Sequence, residues 1–272
     1  QLLFLPALAA ITESVGWRAA LALVCVMLGV AAFAVLMVMR DRPSDVGLRP
    51  FGDEGSEPLP APPPNYTPIM AAALGTLRDC SKSPVFWILF ATFFICGAST
   101  NGLVQVHLIP MCLDFGIPQV QAASLLAAMG IFDFFGTILS GWLSDRYDNR
   151  WLLFWYYGLR GLSLLFLPFT DFTFYGLSLF AVFYGLDWIA TVPPTVRLTA
   201  QRFGAERANL VFGWIFAGHQ LGAGVAAFGA GLSRTVYLTY LPAFFVAGAL
   251  CIVAAAMVLA ISRPAKVATV AS

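Results

Sequence analysis

The chain has 272 residues, of which 60% are hydrophobic and only 11% charged, with a formal net charge of +1 and a mean hydropathy of +0.82. A soluble domain carries roughly 25% charged side chains, so this chain has too little charge to cover a surface in water. An ordinary cytosolic enzyme and a disordered chain are excluded, as is a nucleic-acid binder, which would need a basic stripe against the phosphates; membrane lipid is the expected surrounding.

The chain opens at Gln1 with no secretory leader pattern and reads as a fragment that starts inside a helix, with residues 1–11 as the tail of one span. A spanning helix needs about 20 mostly apolar residues, because hydrocarbon cannot satisfy exposed backbone groups. Seven stretches pass that test: 17–39, 85–109, 119–143, 151–170, 173–195, 208–231 and 236–261. The one long polar stretch, 40–84, carries a patch of prolines (Pro58, Pro60, Pro62, Pro63, Pro64) that cannot be helical and predicts an extended linker. The expected fold class is therefore an all-α membrane protein with seven complete transmembrane helices and a partial one.

Lys and Arg fall unevenly on alternate loops. Twelve lie on the side of 40–84, 144–150, 196–207 and 262–272, whereas only Arg18 and Arg234 lie on the other. By the positive-inside rule the linker and the C-terminus are expected in the cytoplasm. The five cysteines form no C-x-x-C pair and have no His at metal-ligand spacing, so they read as small apolar fillers between helices; no metal and no cofactor is expected.

Three charged residues sit well inside spans, Asp133, Arg160 and Asp187, each costing roughly 2.5 to 3.5 kcal/mol at a helix centre. His219 falls at the midpoint of a fourth span. Four ionisable groups at one depth on four successive helices predict a shared polar site, with Arg160 paired to either Asp133 or Asp187. Asp133 shares a helix face with Gly130, Gly136, Thr137 and Ser140, and Asp187 with Phe183, Tyr184, Thr191 and Pro194; Pro193 and Pro194 should weaken the last turn of that span. Asn101 and Gln105 stack one turn apart on the preceding span, 85–109, with His107 rotated away toward the outer interface. His219 is followed by Gln220 and lies among glycines, Gly218 and Gly222 forming a G-x-x-x-G spacing that suits close helix packing.

The loop after the third span reads GWLSDRYDNR. Asp145 beside Arg146 and Arg150 offers charges that could pair across an interface, or merely a solvated loop that sets topology. The string resembles the signature loop of the major facilitator superfamily, G-x-L-x-D-R-x-G-R-[RK], with Gly141, Leu143, Asp145, Arg146 and Arg150 in register and Asp148-Asn149 in place of Gly-Arg. The segment DRPSDVGLRPFG at 41–52 and Gly16-Trp17-Arg18 are similar to segments flanking the sixth helix of bacterial members.

The resemblance implies the end of helix five and helix six at 1–39, a central linker at 40–84, the six-helix C-terminal half at 85–262 and a tail at 263–272. It also implies a multi-pass carrier of the bacterial inner membrane, whose partners are lipid, a small-molecule substrate and the N-terminal half of the same transporter. Such a carrier moves a solute by proton-coupled alternating access and is not an enzyme. The same segments look most like the monocarboxylate and oxalate/formate porter-like branch, with an organic anion as a candidate substrate. Members of the monocarboxylate branch often carry an Arg one turn after the eighth-helix Asp, where this chain has Thr137. Substrate or proton-coupling candidates are then Asp133, Arg160, Asp187, His219, Asn101, Gln105, Thr137 and Gln220, with Gly141, Asp145, Arg146 and Arg150 in a gating loop. A drug or metabolite efflux carrier of the same superfamily is an alternative. From other classes stand a membrane enzyme using intramembrane Asp and His, and a seven-helix receptor.

Overall fold

The computed structural model describes residues 4–40, 43–49 and 69–262. The proline patch at 58–64, Arg42, the whole tail at 263–272 with Arg263 and Lys266, and the ends of the 41–52 segment lie outside them. The described residues form an all-α protein with seven helices long and apolar enough to cross a membrane. They fall into two compact units, one within Leu8–Ala71 and the other running from Ala72 onward together with residues up to Ala7.

Helix α1 is Phe4–Ser14, and α2, Trp17–Val38, is the first span. Gly16 separates them at φ 103, a left-handed conformation that a residue without Cβ adopts freely. Apolar almost throughout, α2 buries only Ala20 within the chain, as expected of a helix whose remaining surface is covered by lipid or protein. The predicted linker is not extended to its end: Ile69–Cys80 forms α3, an amphipathic helix whose Ala73 carbonyl accepts a hydrogen bond from Trp214 Nε1 at 2.9 Å.

The second unit is a six-span bundle. Its first span, Pro84–Asp114, consists of α4 (Pro84–Gly97), a π-helical segment (Ala98–Val104) and α5 (Gln105–Asp114). Then come α6 (Gln119–Ser144) and α7 (Asn149–Phe166), followed by a span broken into α8 (Phe174–Asp187) and α9 (Val192–Phe203), then α10 (Ala205–Tyr237) and α11 (Leu241–Leu259). Helix α4 packs on α10, α6 on α8, and α7 on α11.

All three of these contacts depend on absent side chains, that of α7 on α11 through Gly161, where a methyl would overlap the Gly248 carbonyl. A methyl on Gly97 would overlap the backbone of His219, one on Gly222 that of Phe94, and one on Gly136 that of Leu186. In hydrocarbon, where helices gain by van der Waals contact and not by expelling water, such close approach is what holds them together.

One boundary corrects the sequence reading. The span expected to end at 195 continues to Phe203, and 196–203 is helix, not loop. Pro193 and Pro194 occupy the first turn of α9, where a missing N–H breaks no hydrogen bond within that helix, and the irregularity falls before them at 188–191.

Candidate functional site

The break at 188–191 is where the bundle's buried charges converge. A proline at 193 removes the donor that would serve the Ile189 carbonyl, and one at 194 removes the donor for that of Ala190. Backbone groups stranded inside a membrane must find other partners, and most of those found here are side chains of neighbouring helices. Ser140 Oγ on α6 donates to Ala190 O at 2.5 Å. The Ile189 N–H donates to Asp133 Oδ1 at 2.9 Å, while Trp188 N takes Gly185 O, three residues back, at 3.1 Å. Arg160 on α7 donates through one terminal nitrogen to Asp187 O at 2.5 Å and to Trp188 O at 3.0 Å. Val192 N closes the account with a tight bond to Ile189 O at 2.9 Å.

Arg160 is wholly buried, and its Nε donates to Asp187 Oδ2 at 2.6 Å in an ion pair shielded from solvent on both sides. The sequence left Asp133 and Asp187 open as partners; Asp187 holds that position and Asp133 faces the break from the other side, with Thr137 Oγ1 donating to it at 3.2 Å. Asp187 Oδ1 is buried without a hydrogen-bond partner. One oxygen of the carboxylate is thus bound to the guanidinium and the other is free to take a proton.

Cys96 on α4 corrects the reading of the cysteines as apolar fillers. Its Sγ receives a hydrogen bond from the other terminal nitrogen of Arg160 at 3.0 Å, lies 3.3 Å from Thr191 Oγ1 and interacts with His219. Arginine presents five donors in a fixed fork; three go to the carboxylate of Asp187 and the carbonyls of Asp187 and Trp188, and the buried thiol receives a fourth. Cys25, by contrast, is exposed.

His219 is buried, with its ring stacked on Phe216 at 5.2 Å and its Nδ1 3.3 Å from Gln220 Oε1. Hydrogen bonds therefore join Asp187, Arg160 and Cys96 across α8, α7 and α4, and the electrostatic interaction of Cys96 with His219 extends the series to His219 and Gln220 on α10. Asn101 is half-buried in the π-helical segment, whose Ser99 carbonyl accepts from Tyr184 at 2.7 Å, and Gln105 is exposed one turn on. His107 differs from expectation: it is buried against α10, 2.9 Å from Ala227 O, and does not reach outward. Among the described residues no three His, Cys, Asp or Glu side chains gather as metal ligands would.

In the GWLSDRYDNR turn, Asp145 pairs with neither Arg146 nor Arg150 but with Arg197 of α9 at 2.7 Å, both partners being about half exposed. Arg146 lies over the Trp142 ring at 4.3 Å. Arg150 is held by Asp148 at 2.6 Å and donates to Ile261 O at 2.7 Å, which ties the start of α7 to the end of α11. The two residues that depart from the signature both carry local structure. Asp148 caps α7 by accepting from Arg150 N at 3.0 Å, and Asn149 Nδ2 donates to Ser144 O at 3.2 Å; Gly141, before the turn, is half-buried. Replacing Asp148 with Ala removes that cap and Arg150's ion-pair partner together. The expected loss is about 1 to 2 kcal/mol of stability, read as a lower midpoint in detergent denaturation of the purified protein.

A six-span bundle with a broken helix and a charge-compensated ion pair at the break is an architecture that membrane carriers use. The Major Facilitator Superfamily model matches residues 1–227 and again 108–271, so the chain belongs to that superfamily. It is 29% identical over 216 residues to Monocarboxylate transporter 12-B of Danio rerio, a match covering 73% of this chain and 44% of that protein. It is also 26% identical to the uncharacterized MFS-type transporter YcxA of Bacillus subtilis (strain 168), over 56% of this chain and 38% of YcxA. With Monocarboxylate transporter 13 of Rattus norvegicus the identity is 31%, over 53% of this chain and 34% of the relative. The matched part is under half the length of each of these proteins.

Proposed function

We propose that this chain is the central linker and C-terminal half, preceded by the end of helix five and helix six, of a proton-coupled secondary transporter for small organic anions. The observation that carries the reading is the Arg160–Asp187 pair, buried mid-bundle with one carboxylate oxygen unpartnered. The relatives named as monocarboxylate transporters supply the substrate class, and the family supplies transport in place of catalysis.

In the mechanism, Asp187 takes a proton on its free oxygen and loosens its hold on the guanidinium, so the charge of Arg160 is no longer neutralised within the bundle. That positive charge favours an anionic solute in the central cavity. Arg160 does not itself need to reach the solute, since it is wholly buried and four of its hydrogen bonds go to the protein. His219 and Gln220, next to Cys96, pass the change toward the solute, for which Asn101 and Gln105 are further candidate contacts. The N-terminal half closes the other side, lipid surrounds both, and the linker and tail face the cytoplasm of a bacterial inner membrane.

The test is flux in proteoliposomes holding the full-length transporter, driven by a proton gradient across a panel of small carboxylates. One carboxylate class is expected to accumulate, and Asp187→Asn is expected to abolish accumulation while leaving exchange of the solute without a gradient. If accumulation persists in Asp187→Asn, the coupling role of Asp187 is wrong; if no carboxylate moves in the wild type, the organic-anion reading is wrong.

A further inference from the structure

The hydrogen bonds around residues 188–191 assign Asp133 a role different from that of Asp187. We infer that Asp133 is a positioning residue, an acceptor that keeps the broken helix open at Ile189, and that it works with Ser140, two turns further along the same face of α6, which supplies the missing donor on the carbonyl side. This builds on the transporter reading above and gives its second carboxylate a separate task.

In a regular helix the Ile189 N–H would go to Gly185 O, but Trp188 N occupies that carbonyl. The freed N–H points at Asp133 Oδ1, 2.9 Å away, and Thr137 Oγ1 donates to the same oxygen from one turn along α6, fixing the side-chain rotamer. On the opposite side Ala190 O, stranded because Pro194 has no N–H, receives Ser140 Oγ. Asp133 and Ser140 are seven residues apart on α6, two turns, which places both on the face toward α8. Gly136 lies between them and lets α6 approach until a methyl there would overlap the Leu186 backbone. Glycine spacing and polar spacing on one face thus serve one purpose: a donor and an acceptor brought from α6 to the unpaired backbone of the break.

An acceptor role needs an oxygen and not a charge. Asparagine provides the oxygen at the same position, whereas a proton carrier cannot be replaced by asparagine. The two roles therefore separate cleanly in one pair of variants.

Asp133→Asn, Asp133→Ala and Ser140→Ala are made in the full-length transporter. Hydrogen exchange is followed by mass spectrometry on the peptide covering 186–192, together with gradient-driven carboxylate flux. Asp133→Ala should speed exchange of that peptide by about tenfold or more, the loss of one hydrogen bond to a charged acceptor, and Ser140→Ala should loosen it to a smaller extent. Asp133→Asn should leave exchange within about twofold of wild type, the residual difference between a neutral and a charged acceptor, and should retain gradient-driven accumulation. If Asp133→Ala yields no folded protein, Thr137→Val, which frees the carboxylate to rotate away, should give a several-fold rise.

Unchanged exchange in Asp133→Ala, or in Thr137→Val as its substitute, overturns the inference. So does loss of accumulation in Asp133→Asn with exchange still protected, the mark of a proton carrier. If the wild type moves no carboxylate the transport reading fails, yet the exchange comparison still judges the role of Asp133.

Discussion

Replacing Arg160 with Met is expected to destabilise the bundle by about 3 to 5 kcal/mol, the cost of leaving one member of a buried ion pair uncompensated. The estimate follows from what the side chain does. It is wholly buried and donates to a carboxylate, a thiol and two carbonyls of the break. Its removal strands the charge of Asp187 and also the carbonyls of Asp187 and Trp188, which no backbone donor serves. Arg160→Lys should rescue little, because a single ammonium cannot reach a carboxylate, a thiol and two carbonyls at once. The double variant Arg160→Met with Asp187→Leu should recover part of the loss by removing the unpaired charge, though not the part due to the carbonyls. Unfolding in mixed detergent, followed by circular dichroism, distinguishes these terms. If Arg160→Met unfolds at the wild-type detergent fraction, the pair contributes nothing to stability.

The spans were legible because crossing a bilayer imposes a minimum apolar length that any sequence must show, and the expected limits 17–39 and 119–143 lie within a residue or two of α2 and α6. The break in the fifth of these spans was not placed correctly. Pro193-Pro194 reads equally well as the end of one helix or the first turn of the next, and only the partners of the stranded carbonyls, far away in sequence, decide between them. That Arg160 needed an acid was clear from its depth; which acid was not, because periodicity assigns a residue to a face of its own helix but not to a neighbour. Cys96 escaped notice for a related reason. A thiol in an apolar run carries no polar signal, and its place in the network comes from the fork of Arg160 reaching across from α7. Asp145 was read as able to pair across an interface but without a named partner, because that partner, Arg197, lies on α9, a helix read as loop.

The second large effect is expected at the crossing of α4 and α10. Gly97→Ala places a methyl on the backbone carbonyl of His219, and Gly222→Ala places one on that of Phe94. Backbone in a helix cannot rotate aside, so the helices must separate, and each substitution should cost about 1 to 3 kcal/mol. Gly218→Ala is the internal control: the nearest atoms to its added methyl belong to the Phe90 ring, at 2.9 Å, a side chain that can turn. It belongs to the same G-x-x-x-G spacing and yet should lose well under half as much. Separation at Gly97 has a second consequence, because Cys96 is the adjacent residue and His219 the one displaced. Pushing them apart interrupts the series from Arg160 to His219 while the Arg160–Asp187 pair, formed between α7 and α8, stays intact. Gly97→Ala should therefore lower gradient-driven flux by more than its loss of stability predicts, and Gly222→Ala, one turn away from His219, by less. Equal flux in the two variants at equal stability would place the coupling path elsewhere than through Cys96.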